Sequence, residues 1–437
     1  MSQEWIGLLS LVLLFTAIFL GFPIAFTLFG IALGVGYLAF GSAALHLMNL
    51  QTFAVMKDTT LAAVPFFLFM GFLLEQSNLM ERLFRGTQLL LAPLAGSLFL
   101  AILITSTIFG IASGIVGSTV TLLGVMAAPL IRRSGYDVRL AAGAITAGGT
   151  LGILIPPSVM LVVMAPVVGV PVTDLFAAAT IPGFLLSLLF CGYTTARCWL
   201  NPALGPPLPP DERRPLPHVL RDLAVGSVPM LIVIFATLGT IMLGLATPTD
   251  CAAVGAFVTV LMVWAYGELT WPRFKHSMIA TLELSSMVLL LVAASNYFGA
   301  VFSRLGSATM IAESMLGLDL PPTAMLLVIL ALVFLLGWPL EWVPIVLVVI
   351  PILLPLVQKL GIDLVWFCTL VAVCLQTAWL SPPVALSAYF LKGVVPEWKL
   401  SDINAGMIQF MLLQLVGLGL VLAFPQLALW LPAALKD

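Results

Sequence analysis

The sequence predicts an all-α, polytopic membrane protein with about ten transmembrane helices and two re-entrant hairpins. Of its 437 residues, 62% are hydrophobic and 8% are charged, a composition that a soluble domain of this length cannot carry on its surface. The apolar runs are continuous over helix-spanning lengths, whereas the strands of a membrane barrel alternate between apolar and polar residues. A net charge of −2 provides no electrostatic footprint for nucleic acid. The composition therefore predicts the lipid bilayer as the surroundings of the chain.

Residues 1–196 form the first predicted unit, with five crossings. The crossings begin at Trp5, Ile24, Thr60, Ala141 and Leu175. A polar loop is predicted at residues 46–58, and an amphipathic piece follows the third crossing.

Two segments of this unit are too irregular for simple spans. Residues 97–130 contain the glycine- and serine-rich run Phe109–Thr119, which favours a re-entrant hairpin of two half-length helices. Residues 141–168 would form a helix of roughly 42 Å, against a hydrocarbon core of about 30 Å. Pro156 and Pro157 lie in the middle of that segment and lack amide donors, so a broken helix is predicted.

A polar, proline-rich linker at residues 197–222 separates this unit from a second one at residues 223–437. The second unit also has five predicted crossings, which begin at Leu223, Cys251, Ser277, Leu364 and Ile403. The motif TPTD at Thr247–Asp250 fits a helix start. Residues 322–356 are predicted to form a second hairpin, and residues 364–391 a second broken helix.

The two units read as an inverted repeat. At an offset of 226 residues, Pro129–Asp137 aligns with Pro355–Asp363, sharing Pro, Leu, Gly and Asp, and Pro156 and Pro157 align with Pro382 and Pro383. Five crossings separate equivalent points, and an odd number inverts the second copy.

The basic residues predict the orientation. If the loop at Arg132 is cytoplasmic, 13 of the 17 Lys and Arg residues are cytoplasmic, as the positive-inside rule requires. Both termini are then predicted on the outer, periplasmic side, the linker at residues 197–222 is cytoplasmic, and the hairpins open to opposite faces.

Several motifs together resemble one family. These are GGTLGILIPPS at Gly148–Ser158, TPTD followed by CAAVG, PILLPLVQKLGID at Pro351–Asp363, and QTAWLSPP at Gln376–Pro383. Over essentially the whole chain, the sequence resembles the large membrane subunit of the tripartite ATP-independent periplasmic (TRAP) transporters, within the ion-transporter superfamily.

The resemblance implies a sodium-driven secondary carrier with an elevator motion in the bacterial inner membrane. It implies two partners, a four-helix small membrane subunit and a periplasmic substrate-binding protein that delivers a small organic acid. It also implies two sodium sites. By matching positions, one Na⁺ lies between Ser113 and the carbonyls of Gly152, Ile155 and Pro157, and the second uses Gly337, Ala378, Ser381 and Val384.

Other residues are candidates for binding the substrate. Glu341 is an acid near mid-membrane, so it is interpreted as functional. The chain departs from the family here, since the second hairpin of the family commonly has Asp in place of Glu341. The family usually has a second serine near Ser113, where this chain has Ile115. The uncharged oxygen donors near the breaks complete the set, which comprises Ser118, Thr119, Thr150, Ser158, Gln376 and Thr377.

Three other functions were weighed. A stand-alone sodium and carboxylate symporter of the same superfamily is the main alternative, and dependence on a binding protein separates the two. An enzyme would need paired acids or a His and Glu cluster inside the spans, which the sequence does not show. A channel would normally assemble its pore from several subunits. The five cysteines have no zinc-like spacing, so Na⁺ is the only metal ion expected.

Overall fold

The computed structural model describes residues 3–207, 215–382 and 385–436, and every regular element within them is helical. The helices are α1 (Gln3–Phe19), α2 (Ile24–Phe40), α3 (Ala43–Lys57), α4 (Ala63–Glu75), α5 (Leu79–Leu91), α6 (Ser97–Ser113), α7 (Val116–Arg133), α8 (Val138–Leu154), α9 (Val159–Val168), α10 (Val172–Leu200), α11 (Leu216–Met242), α12 (Pro248–Ala265), α13 (Trp271–Arg304), α14 (Ser307–Leu316), α15 (Pro322–Gly337), α16 (Trp342–Lys359), α17 (Leu364–Trp379), α18 (Leu386–Val394), α19 (Leu400–Ala423) and α20 (Gln426–Ala434).

Membrane-spanning helices account for much of this fold. Among the described residues, six helices are long and apolar enough to cross alone, namely α10, α11, α12, α13, α16 and α19, and two bent pairs, α3 with α4 and α8 with α9, bring the number to eight if each pair is one span. The prediction of about ten differs because α1, α2 and α17 are shorter apolar helices. Large apolar side chains such as Leu38 and Trp199 are 85% and 80% exposed, as expected of surfaces that face lipid.

A pair of helices occupies each of the four segments predicted as hairpins or broken helices, and the re-entrant path of the hairpins in the membrane stays a prediction. The first hairpin is α6 and α7, and the second is α15 and α16. The first broken helix bends by 42° between α8 and α9. The second is interrupted between α17 and α18, where Pro383 and Val384 lie outside the described residues.

The order of elements repeats along the chain at a nearly constant offset. The broken helices begin at Val138 and Leu364, 226 residues apart, and the helices that precede the hairpins begin at Leu79 and Ser307, 228 residues apart. Each repeat packs against the other in matched pairs: α2 on α13 and α12 on α4, α1 on α14 and α11 on α5, α8 on α19 and α17 on α10. Helices of one repeat therefore pack against helices of the other throughout the core.

The aligned motifs of the two repeats perform the same local task. Gly135 and Gly361 have φ values of 66° and 67°, a left-handed conformation that glycine adopts without strain. Two residues later, Asp137 accepts a hydrogen bond from the Leu140 amide at 2.7 Å, and Asp363 accepts one from the Trp366 amide at 2.9 Å. The shared Gly and Asp thus turn the chain and cap the broken helix that follows.

The motif TPTD starts α12 as predicted. Thr247 accepts from the Asp250 amide, and Asp250 accepts from the Thr247 amide, which completes a capping box with Pro248 in the first turn. The role of a helix cap therefore explains why Thr247, Pro248 and Asp250 stand at these positions.

A cluster of charged side chains, centred on the largely buried Glu268, joins α5 to the turn between α12 and α13. Glu268 accepts hydrogen bonds from Arg273 at 2.6 Å and from Arg82 and Asn78 at 3.1 Å. The bond from Arg273, followed by those from Asn78 and Arg82, lowers the pKa of the Glu268 carboxyl below its ordinary value of 4.5.

Three expectations about individual elements are wrong. Residues 46–58 are mostly helix α3 rather than a loop, because their polar side chains are isolated among good helix formers. Helix α14 was missed, because its ten residues mix polar and apolar side chains. The closing span, predicted as one helix, is two, and Pro425 stands between α19 and α20.

Candidate functional site at the hairpin tips

The first hairpin turns within two residues. Gly114 has a φ of 65°, which lets α6 end at Ser113 and α7 begin at Val116. Behind the turn, Gly110 lies against the broken helix so closely that a Cβ on it would stand 2.9 Å from the Gly152 Cα. A larger residue at Gly110 would separate the hairpin from the broken helix.

Most of the first predicted sodium site comes together at this tip. A Cβ placed on Gly114 would lie 3.5 Å from the Pro157 carbonyl oxygen and 3.9 Å from that of Gly152. The adjacent Ser113 is buried, and its hydroxyl is 3.5 Å from that of Thr119. Ile155 lies in the break between α8 and α9, where its amide donates to the Leu151 carbonyl at 2.9 Å. The break frees carbonyls beside a hydroxyl, the oxygen donors that hard cations prefer.

The second predicted sodium site is partly described. A Cβ placed on Gly337 would lie 3.1 Å from the Ala378 Cβ, so the end of α15 meets α17. Ser381 is buried, and its hydroxyl donates to the Thr377 carbonyl at 2.6 Å and lies 3.1 Å from the Met411 sulfur. Val384 lies outside the described residues. Gly337 and Ala378, which are both predicted to bind the second Na⁺, are thus neighbours.

A cavity of about 470 Å³ lies between the two hairpin tips, and we call it the central cavity. Both tips line it, together with α4, the start of α9, the middle of α13 and residues Trp379 and Phe390 of the second broken segment. Three helices begin at its wall, α7 at Val116, α9 at Val159 and α16 at Trp342. The N-terminal amides of these helices give the wall a partial positive charge.

Two carboxylates face the same cavity. Glu341 lines it, as predicted for a functional acid, and also lines a smaller cavity of about 170 Å³ with Gly337 and Ala378. Glu75 lines it from the end of α4. The hydroxyl of Ser118 lies beside the Glu75 carboxyl at the cavity wall. The site therefore combines helix N-termini with acids and a hydroxyl.

Glu75 is the site residue that the sequence analysis missed. It was assigned to the amphipathic piece because charged residues follow it within ten positions. A signal was present: Glu75 is the last residue of an apolar helix, where its charge meets the negative end of the helix dipole. An acid in that unfavourable place is a reason to suspect function.

Other predicted substrate residues lie behind the cavity wall. The hydroxyls of Thr119, Ser158 and Thr377 donate to the carbonyls of Ile115, Ile153 and Cys374, respectively. The bond from Thr119 lies in the first turn of hairpin helix α7, and those from Ser158 and Thr377 lie at the interruptions of the two broken helices. A role in binding the substrate stays a prediction for these three residues.

Thr150 and Gln376 meet in the protein interior between the repeats. They are 226 residues apart, and the Gln376 side-chain amide donates to the Thr150 carbonyl at 3.0 Å. Gln414 donates to the Thr150 hydroxyl at 3.0 Å. Because equivalent residues contact each other, the pseudo-twofold axis of the repeat passes through this place. The side-chain oxygens of both glutamines have no hydrogen-bond partner within the described residues.

This arrangement of paired hairpins and paired broken helices agrees with the relationships of the sequence. Residues 11–427 match the family described as the tripartite ATP-independent periplasmic transporter, DctM component. The chain belongs to this family. It is a TRAP transporter large permease subunit.

Full-length relatives extend the match. The chain is 28% identical over 444 residues to the C4-dicarboxylate TRAP transporter large permease protein DctM of Rhodobacter capsulatus, covering 96% of this chain and 97% of the relative. It is 29% identical over 429 residues to the sialic acid TRAP transporter large permease protein SiaM of Vibrio cholerae, covering 98% and 96%.

A solved structure shares the fold. The Alcanivorax borkumensis YdaH transporter superposes with a TM-score of 0.62 over 87% of this chain and 88% of its own, at 15% sequence identity. At that identity the likeness concerns the fold alone.

Proposed function

We propose that this TRAP large permease is the transport subunit of a sodium-coupled secondary carrier that imports a small organic acid. The observation that supports the proposal is the central cavity, in which both hairpin tips, three helix N-termini and two carboxylates meet. The relatives named above are permeases for C4-dicarboxylates and sialic acid, so organic acids are the substrate class that the family relationship favours.

The charges of the cavity support cation coupling. Helix N-termini attract a carboxylate, but Glu75 and Glu341 repel it at short range. No Lys, Arg or His is among the described residues that line the cavity. A co-bound cation would offset this repulsion, and the carbonyl and hydroxyl oxygens of Ser113, Gly152 and Pro157 stand beside the same tip. Sodium at the two predicted sites would supply that charge.

The transport cycle and the partners follow from the family relationship. We propose an elevator motion in which the hairpins and broken helices move against the other helices. A small membrane subunit would bind the helices that do not move. A periplasmic protein would deliver the solute to the face that carries both termini. The complex would reside in the bacterial inner membrane.

Uptake into proteoliposomes tests the proposal. The chain is reconstituted with its candidate small subunit, with and without an inward sodium gradient, and with and without the candidate binding protein loaded with labelled succinate or N-acetylneuraminate. We expect uptake only when sodium and the binding protein are both present.

Two results would contradict this expectation. Sodium-dependent uptake without the binding protein would make the chain a stand-alone symporter. Uptake that is indifferent to a sodium gradient but follows a proton gradient would refute the sodium coupling.

A further inference from the structure

A second cavity, of about 350 Å³, lies apart from the central one, and we call it the distal cavity. It is lined by α3, the end of α9, the last three turns of α13, the start of α14 and the middle of α16. Along α13 it begins about 10 Å beyond Val288, the last residue of that helix at the central cavity. It is therefore near the end of the molecule that carries Arg304 and Lys359.

The distal cavity has polar walls inside a hydrophobic protein. Gln51 and Asn296 supply amides, and Ser295 and Ser303 supply hydroxyls. Ser295 is 2% exposed, and its hydroxyl has no hydrogen-bond partner within the described residues. A buried hydroxyl left unpaired destabilises the folded protein, so a solute that enters the cavity can offer Ser295 the hydrogen-bond partner that the fold does not supply.

The repeat relates this cavity to the central one. Leu68, Gly71 and Phe72 of α4 correspond, at the offset of 228 residues, to Asn296, Gly299 and Ala300 of α13. Leu68 and Phe72 line the central cavity, and Asn296, Gly299 and Ala300 line the distal cavity. The two cavities thus use equivalent faces of the equivalent helices α4 and α13.

The two faces differ in what packs on them. A Cβ on Gly71 would overlap the Ser113 carbonyl oxygen of the first hairpin tip, whereas a Cβ on Gly299 would meet no atom within 4 Å. The first hairpin is seated on its helix, and the corresponding face of α13 is open. That open face is the one that bears Asn296 and Ser303.

We propose that the distal cavity is a second binding site for the transported organic acid, on the opposite side of the membrane from the opening of the first hairpin. This proposal rests on the proposed function for its substrate class. The side-chain amides of Gln51 and Asn296 and the hydroxyls of Ser295 and Ser303 can donate to a carboxylate or to solute hydroxyls. Uncharged donors hold a solute weakly enough for its transfer to the central cavity.

Protection of an introduced thiol tests the proposal. Ser303→Cys is reconstituted with the small subunit, and its reaction with 2-sulfonatoethyl methanethiosulfonate is timed with and without succinate, N-acetylneuraminate or gluconate. Ser314→Cys, on the exposed face of α14 near the same end, is the matched control. The unsubstituted protein, whose cysteines are buried or half-buried, gives the background rate. We expect one solute to slow labelling of Cys at 303 about fivefold or more, with no effect at 314.

A second variant separates occupancy from a change of conformation. Ser295→Ala removes a hydroxyl that stabilises no described residue, so the melting temperature should not fall. The solute concentration for half protection should rise about fivefold, since a hydrogen bond to the ligand is lost. An unchanged half-protective concentration would show that the solute masks position 303 by moving the helices, and would overturn the site.

The outcomes also distinguish this proposal from the proposed function. Uptake of a solute that gives no protection at saturation would overturn the distal site and leave the transport function intact. Protection without sodium-driven uptake would support the site and refute sodium-coupled transport. No protection by any of the three acids would exclude the organic-acid site.

Discussion

At the scale of single residues, the two proposed sodium sites depend on hydroxyls at helix ends. Ser113 ends α6 and Ser381 follows α17, and both are buried. Ser381 donates to the Thr377 carbonyl at 2.6 Å, which leaves the lone pairs of its oxygen free for a cation.

Ser381→Ala should therefore weaken sodium activation. We expect the half-activating sodium concentration to rise about threefold to tenfold, because one oxygen ligand worth roughly 1 kcal/mol is lost. The matched control is Ser10→Ala, which removes a buried hydroxyl that donates to the Gly7 carbonyl at 2.6 Å on α1. Sodium-activation curves of uptake decide the matter. Curves of Ser381→Ala and wild type that coincide would place the second ion elsewhere.

Residue chemistry also explains which parts of the site were predictable. Gly114, Pro156 and Pro157 act on their own backbone, so the turn and the break could be recognised from the sequence. Glu75 was harder to recognise, because its role depends on where α4 ends relative to the tip of a hairpin at Gly114, 39 residues away. Thr150 and Gln376 were predicted to bind substrate from their oxygens, and the structure shows that they also bind each other.

At the scale of elements, α5 connects the first hairpin to the other repeat. It leads into α6, packs on α11, and is joined by Arg82 and Asn78 to Glu268 before α13. Since the bonds from Arg273, Asn78 and Arg82 lower the pKa of Glu268, the carboxylate form stabilises the folded protein. That contribution is complete above the ordinary pKa of 4.5 and is lost as the pH falls through the lowered pKa.

Glu268→Gln should lower the melting temperature at pH 7 by about 1–2 °C, since partly exposed ion pairs contribute about 1 kcal/mol or less. The difference from wild type should shrink as the pH falls below 4.5. Glu397→Gln is the control, because Glu397 and Arg132 form an exposed pair 4.0 Å apart. The melting temperatures of both variants and of wild type are measured in detergent at a series of pH values from about 7 down to about 3. A difference that stays constant down to pH 3 would rule out the carboxylate as its source.

Elements also set a limit to prediction. Helix boundaries at Gly135 and Asp137 and at Gly361 and Asp363 follow from local turn and cap chemistry. Helix α3 could not be recognised, because its polar residues resemble a loop in sequence and are accommodated by packing on α13. Its 60° bend from α4 is likewise a product of tertiary contacts.

At the scale of the whole molecule, the two repeats contain equivalent helices, but equivalent faces of these helices have different neighbours. Gly71 is in contact with the first hairpin tip, and Gly299 faces the distal cavity. An elevator motion would exchange these environments, so that the second hairpin tip approaches Gly299.

Gly299→Ala should then leave the present arrangement intact and hinder the approach of the second hairpin tip to α13. We expect normal folding, because no atom lies within 4 Å of the added Cβ, and uptake slowed about tenfold or more, since about 1.4 kcal/mol of steric cost suffices for that factor. Gly34→Ala, also with no atom within 4 Å, is the control on α2. Initial uptake rates at equal protein amounts give the comparison. A rate for Gly299→Ala equal to that of Gly34→Ala would mean that nothing docks on this face.

The contact between Thr150 and Gln376 has a consequence for how the two halves communicate. Gly152 and Ala378, residues of the two proposed ion sites, each follow one member of this pair by two positions. A single hydrogen bond between the two repeats therefore joins residues that stand next to the two proposed sites. Thermodynamic reciprocity then applies: whatever factor one ion imposes on the affinity of the other is imposed in return. A preferred order of ion loading would thus have to arise from different intrinsic affinities of the two sites or from rates and access, since the coupling factor itself is the same in both directions.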